Sequence, residues 1–125
     1  MNQRILCVDD NARNLRILEE LLGEDYDIDC AKCGEDALYL TQSQQFDLVL
    51  LDVMMPGISG YEVCRNLKTD PITADTPIVL VTARAGDAEQ QEGEAAGADA
   101  YLLKPFDPDQ LLDLVEEFVP CQQNS

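Results

Sequence analysis

The sequence predicts an α/β fold, a five-stranded doubly wound parallel sheet with helices on both faces, and three observations predict it. Five short apolar runs alternate along the chain with five segments whose apolar residues recur at helical spacing, the pattern of a parallel sheet with helical crossovers. The run Leu48-Val49-Leu50-Leu51 is apolar at every position, as a strand buried on both faces must be. The runs end in side chains that do not belong in an apolar core: Asp9-Asp10, Asp52, Thr82 and Lys104. Right-handed crossovers bring every strand's C-terminal end to one edge. In this class the site lies outside those ends, where the strand order reverses.

The elements follow in order. Arg4 to Val8 is a short apolar strand stopped by Asp9-Asp10, and Asn11 or Asp10 can cap the helix after it. That helix runs from Ala12 to Leu22 with Leu15, Leu18, Leu21 and Leu22 on one side, and Gly23 ends it. Tyr26 to Ala31 alternates polar and apolar, which suits a half-covered edge strand. Gly34 to about Ser43 is a helix carrying Ala37, Leu38 and Leu40, and the central strand, Asp47 to Asp52, comes next. Ser59 and Glu62 form a capping-box pattern for a helix with Val63, Cys64 and Leu67. Thr69 to Thr76 is a loop, and Pro77 to Val81 is a buried strand ending in Thr82.

A fourth helix, capped by Asp87 and stopped by Gly97, is weak. It contains Gly93 and offers only Ala88, Ala95 and Ala96 as apolar surface, so it is expected to be the least firmly held element. Ala98 to Leu103 is the fifth strand. Asp107-Pro108 opens the last helix, with Leu111, Leu112, Leu114, Val115 and Phe118 on its buried side. Residues 1–119 therefore form one domain, followed by a short polar tail, 120–125.

Composition narrows the function. At 125 residues the chain supports a single core. Twenty-five acids against eight bases give a net charge of −17, which argues against nucleic acid and against an anionic membrane surface as partners. There is no apolar run long enough to span a membrane and no signal-peptide pattern at the start, so the expected location is cytoplasmic. Five scattered cysteines do not make a disulfide framework. Cys30-Ala31-Lys32-Cys33 has redox or zinc spacing, but the chain has no histidine and no second cysteine pair, and a thiol at a strand end is ordinary core material.

Read together, the strand ends carry chemistry. If the first and third strands are neighbours, Asp9, Asp10 and Asp52 converge. Like charges that close repel and raise pKa values unless something compensates. A hard divalent cation such as Mg²⁺, with its preference for oxygen ligands, fits that need, and Lys104 adds a fixed positive charge. An Asp beside Mg²⁺, a Lys and the Thr82 hydroxyl is equipped to take a phosphoryl group onto its own carboxylate.

At this point the chain resembles the receiver domain of two-component response regulators, over about Arg4 to Phe118. The resemblance rests on Val8-Asp9-Asp10-Asn11, Leu51-Asp52-Val53-Met54-Met55-Pro56-Gly57, Val81-Thr82-Ala83 and Leu103-Lys104-Pro105-Phe106. It implies the flavodoxin-like strand order 2-1-3-4-5 and Asp52 as acceptor of a phosphoryl group from the phosphohistidine of a histidine kinase or phosphotransfer protein. It implies Mg²⁺ held directly by Asp10 and Asp52, by Asp9 through water and by the backbone carbonyl of Met54, with Lys104 on the phosphoryl group. It also implies a switch, in which Thr82 moves to the phosphoryl oxygen and Tyr101 turns inward, biasing a bistable surface, and a cis Lys104-Pro105 bond. Met54 and Arg84 occupy positions that the family uses to tune dephosphorylation.

A rival is a haloacid-dehalogenase-like phosphohydrolase, which also forms an aspartyl-phosphate. It needs a general acid two residues after the nucleophile, where this chain has Met54. A metal-free structural module is the other rival, and it leaves the clustered acids unexplained. The output is expected to be a downstream protein target or a fused output domain, with no room for an effector after Phe118. The acidic fourth helix (Asp87, Glu89, Glu92, Glu94) lacks the basic stripe some receivers use to dimerise, so a monomer is expected. The first helix and the loop after the fifth strand are the expected kinase-facing surface, with Leu15 and Leu18 as candidate contacts, although residues at that helical spacing are more often core. Asp52, treated as a carboxylate at the surface edge of the sheet, is expected to be replaceable by Asn without loss of stability.

Overall fold

The computed structural model describes residues 3–83 and 86–120. Five strands and five helices alternate: β1 (Arg4–Val8), α1 (Ala12–Leu22), β2 (Asp27–Ala31), α2 (Gly34–Ser43), β3 (Leu48–Asp52), α3 (Gly60–Thr69), β4 (Ile78–Thr82), α4 (Asp87–Ala95), β5 (Ala100–Leu103) and α5 (Pro108–Phe118). All neighbouring strands are parallel, in the order β2-β1-β3-β4-β5. The order reverses between β1 and β3, and that is where a site is expected in this class.

Every residue of β3 and of β4 is buried, whereas β2, at the sheet's edge, is exposed at Asp27 and only half-buried from Ile28 to Cys30. The pleat sends alternate residues to opposite faces. Ile5, Cys7, Leu48, Leu50, Val79 and Val81 join Leu15, Leu18 and Leu22 of α1 and Leu111 and Val115 of α5 in one core. Leu6, Val8, Val49, Leu51, Ile78 and Leu80 join Ala37 of α2 and Val63, Cys64 and Leu67 of α3 in the other. By the same alternation Asp9, Asp52 and Lys104 continue the α1/α5 face, while Thr82 and Tyr101 continue the α3/α4 face.

The helix ends mostly obey their local signals. Asn11 caps α1, its side chain accepting from the Arg13 and Asn14 amides at 2.9 and 3.4 Å. Ser59 caps α3 by accepting from the Glu62 amide at 3.3 Å. Asp107 precedes Pro108, and its amide donates to the Gln110 side chain at 3.2 Å. One expectation is corrected, and Gly23 stops α1 where expected but without left-handed backbone. Asp87 does not cap α4: Gly86 holds the cap position and Asp87 is the first helical residue, where its charge faces the helix's positive end. Gly23 ends α1 in ordinary right-handed geometry (φ −67°), because the chain turns on through Asp25 and Tyr26 amides bonded to the Leu22 carbonyl; Gly97 after α4 does take positive φ (92°).

Helix α4 buries only Gly93 along its length, with Ala96 just beyond it. A Cβ at position 93 would stand 2.9 Å from Tyr101 Cε2 and 3.1 Å from Leu80 Cδ1. The glycine that weakens the helix is thus also what lets it lie against the sheet. Among the described residues no helix is long and apolar enough to cross a membrane.

Candidate functional site

The register of the sheet builds the site. Val8 is paired with Leu51, so Asp9 and Asp52 emerge side by side; Thr82 is paired with Leu103, so Lys104 emerges beside it. The Asp9 amide is held by the Ala31 carbonyl at 3.0 Å and the Lys104 amide by the Thr82 carbonyl at 2.7 Å, which fixes both backbones just past the strand ends. Carboxylate oxygens of Asp9, Asp10 and Asp52 lie within 4.8 Å of one another. Asp10 is exposed, while Asp9 and Asp52 are about 5 % exposed or less. Asp52 is therefore not a surface-edge carboxylate: the strand carries it into the floor of the cleft.

Compensation for the buried charge is partial. Lys104 Nζ sits 3.2 Å from Asp9 Oδ2 and 3.6 Å from Asp52 Oδ2. The Met54 amide donates to Asp52 Oδ1 at 3.2 Å, and Asp9 accepts from the Asn11 amide at 2.9 Å and from Asn14 Nδ2 at 3.1 Å. Burial is the largest influence on Asp52 and the Asp9 charge the next; the two outweigh Lys104 and the Met54 amide, and the Asp52 pKa is pushed up to about 6. The carboxylate oxygens of Asp9, Asp10 and Asp52 are hard ligands gathered around negative charge that Lys104 only partly offsets, which is the ligand set that a small divalent cation takes. The chemistry of the residues present fits Mg²⁺.

Thr82 is fully buried at the end of β4. Tyr101 is half-buried, with its hydroxyl 3.0 Å from that of Tyr61 and 3.4 Å from the Glu89 carbonyl. Its hydroxyl therefore has protein partners on α3 and α4. The Lys104-Pro105 bond is cis. Arg84 lies outside the described residues. The side chain of Met54 is about half exposed and has no proton to give, which removes the general acid a phosphohydrolase of the haloacid-dehalogenase type needs.

An apolar cavity of about 480 Å³ opens beside the acids, lined by Val8, Ile17, Leu18, Val81, Phe106 and Leu111 among others, with Asp9, Asp52 and Lys104 at one end. Leu15 and Leu18 prove to be core residues, 4 % and 8 % exposed, although Leu18 forms part of the cavity wall. The large apolar residue exposed on that helix is Ile17, at 43 %. Ile17, Asn14 and Tyr61 were not legible as site residues, because each depends on which way a helix face turns. The Cys30/Cys33 spacing builds nothing: among the described residues the cysteines are free, no metal cluster includes them, and the Cys30 thiol, bonded to Glu19, is pushed up to about 12 by burial, so it is not a reactive thiolate.

Residues 5–116 match the family model of the response regulator receiver domain. Over 108 residues the chain is 45 % identical to the response regulator PleD of Caulobacter vibrioides, a match that covers 86 % of this chain and 24 % of that relative, so the chain spans about a quarter of that relative's length. Its structure superposes on the chemotaxis protein CheY4 of Vibrio cholerae with a TM-score of 0.90 at 30 % identity, covering 94 % of this chain and 99 % of that one. It also superposes on the response regulator TrrA of Thermotoga maritima, solved in complex with Mg²⁺ and beryllofluoride, with a TM-score of 0.82 at 39 % identity and coverage of 93 % and 98 %.

Proposed function

The chain belongs to the response regulator receiver domain family, and on that premise we propose that Asp52 is its phosphoacceptor, taking a phosphoryl group from the phosphohistidine of a histidine kinase or phosphotransfer protein. The observation that carries this is the convergence of Asp9, Asp10 and Asp52 around one point, with Lys104 bridging two of them, at the switch point of the sheet. In the transfer an Asp52 carboxylate oxygen attacks phosphorus, the phosphorus–nitrogen bond to the donor histidine breaks, and the imidazole leaves with the bonding electrons and takes up a proton. Met54's amide holds one Asp52 oxygen and so orients the other. Lys104 stands where it can follow the charge from the carboxylates onto the phosphoryl oxygens. The Thr82 hydroxyl, at the end of the adjacent strand, is the donor for a third oxygen.

Asp10 and Asp52 would hold Mg²⁺ directly, Asp9 through water and Met54 through its carbonyl. When bound, the cation neutralises charge on the acids and on the phosphoryl oxygens. The cavity between α1 and the β5–α5 loop is where the donor docks, with Ile17 and Phe106 as apolar contacts beside the acceptor. Thr82 and Tyr101 form the switch, and the α4 surface delivers it to a downstream protein or an output domain. The domain runs over residues 1–119, with 120–125 as a tail, and acts in the cytoplasm as a monomer; it is a switch with self-catalysed phosphorylation and dephosphorylation rather than an enzyme acting on a separate substrate.

The test is intact mass after incubation with acetyl phosphate, with Mg²⁺ or with chelator, on wild type and Asp52→Asn. One phosphoryl group is expected, dependent on Mg²⁺, labile to hydroxylamine and absent from the variant. Equal labelling of the variant would move the acceptor elsewhere. If no adduct forms and beryllofluoride does not bind either, the phosphoacceptor reading is lost.

A further inference from the structure

We propose that Tyr61 is a positioning residue of the switch, holding Tyr101 against α4 before any phosphoryl group arrives. The proposal rests on Asp52 as acceptor and Tyr101 as part of the switch, and goes beyond both by assigning a third element, α3.

Three polar groups from three elements meet at one point. The Tyr61 and Tyr101 hydroxyls are 3.0 Å apart, and the Glu89 carbonyl lies 3.3 Å from the first and 3.4 Å from the second. The two hydroxyls carry two protons. One goes to the Glu89 carbonyl and the other to the neighbouring phenol oxygen, so neither proton is wasted and the carbonyl, on the first turn of α4, is drawn to β5 and α3 together. Burial, followed by the Tyr101 hydroxyl, raises the Tyr61 phenol further above its ordinary range, so it keeps its proton throughout the working pH range.

Both ends of the contact are pinned. On the α3 side, Gly60 packs so tightly on β3 that a Cβ there would lie 2.3 Å from the Asp52 carbonyl oxygen. Tyr61 therefore starts from backbone resting on the acceptor residue itself. On the α4 side, the Tyr101 ring fills the space that Gly93 leaves open. Helix α4 is otherwise held by Gly93, its only buried residue, and by the half-exposed Arg65–Glu92 ion pair to α3 at 2.6 Å. A weakly held helix, an aromatic ring over a glycine and a hydroxyl pair anchored beside the acceptor together form an element with two arrangements. Tyr61 biases it toward the inward one.

A consequence follows for ligand affinity. A ligand that favours the inward state binds with an apparent affinity scaled by the fraction of molecules already inward. Removing the Tyr61 hydroxyl lowers the ratio of inward to outward molecules by about two- to tenfold, the equilibrium weight of one hydrogen bond, and the inward fraction falls with it.

The experiment uses the full chain with 3-fluorotyrosine at its four tyrosines, with fluorine resonances assigned by single Tyr→Phe substitutions. Spectra are recorded without ligand and through a titration of beryllofluoride with Mg²⁺, for wild type, Tyr61→Phe, Gly93→Ala and the control Tyr39→Phe, whose ring is exposed. In Tyr61→Phe the unliganded Tyr101 resonance is expected to move toward the position of an exposed ring, and the anion to move it back. The anion should therefore shift Tyr101 more in this variant than in wild type, and its apparent affinity should fall about threefold, with the control unchanged. Gly93→Ala, which crowds the ring while leaving both hydroxyls in place, should move Tyr101 the same way. A Tyr101 resonance and an affinity that match wild type in Tyr61→Phe overturn the proposal. Failure of the underlying assignment is read separately, from wild type: no anion binding at all removes the switch, and this proposal with it.

Discussion

Asp52 is a buried carboxylate with too little compensation, and its stability effect has a definite sign. Its folded-state pKa is raised from 3.8 to about 6, so the native protein binds the proton more tightly than the unfolded chain. Stability is then greatest below the unfolded value and declines as the pH rises from about 4 to about 6, by on the order of 2–3 kcal/mol without a cation. Asp52→Asn removes the charge and keeps an oxygen for the Met54 amide. In chelator at pH 8 it is expected to melt roughly 3–8 °C above wild type, the gap closing near pH 4. Calorimetry across that range checks it, and a variant that melts lower at pH 8 would mean that the carboxylate is not strained. The types and order of the strand-end residues were legible in the sequence. That Asp52 is buried while Asp10 is exposed was not, because exposure depends on how far the flanking loops close over the sheet.

At the scale of elements, the seat of α3 on β3 is the tightest joint near the site. Gly60→Ala places a methyl group 2.3 Å from the Asp52 carbonyl oxygen, which is backbone that cannot yield cheaply. The variant is expected to lose about 1–3 kcal/mol in urea unfolding and to label more slowly with acetyl phosphate, since the clash bears on the backbone of Asp52, the proposed acceptor. Helix α4 is the opposite case. Its amides from Gln90 to Ala96 are expected to exchange with deuterium well before those of Leu111 to Val119 in α5, which buries Leu111 and Val115 in the core. Exchange of α4 at the rate of α5 would contradict the weakness seen in its sequence. That weakness was readable from Gly93 and three alanines. The partner of Gly93 was not, because Tyr101 comes from the next strand and meets the helix only once both are packed on β4.

Over the whole molecule, charge is the dominant feature. The net charge is −17, and from Asp87 to Glu117 the only base is Lys104, which faces the acidic cleft. Self-repulsion on this scale opposes the compact state and is screened by salt over a Debye length of about 10 Å at 0.1 M. The melting temperature in chelator is expected to rise by several degrees between about 0.01 and 0.3 M sodium chloride. A flat or falling response would show that the acids are already locally compensated.

The sequence by itself determined the fold class, the order of elements and the chemistry at the strand ends, because those depend on period, on apolar runs and on residues that no core accepts. Only the tertiary structure decided which of these groups touch. The 4.8 Å cluster of acids comes from the pairing of β1 with β3, the cavity beside Ile17 from the packing of α1 against the β5–α5 loop, and the Tyr61–Tyr101–Glu89 contact from three elements far apart in the chain. Contacts of that kind depend on register and on which face a helix turns inward, and those are set by the balance of packing over the whole domain rather than by any local pattern.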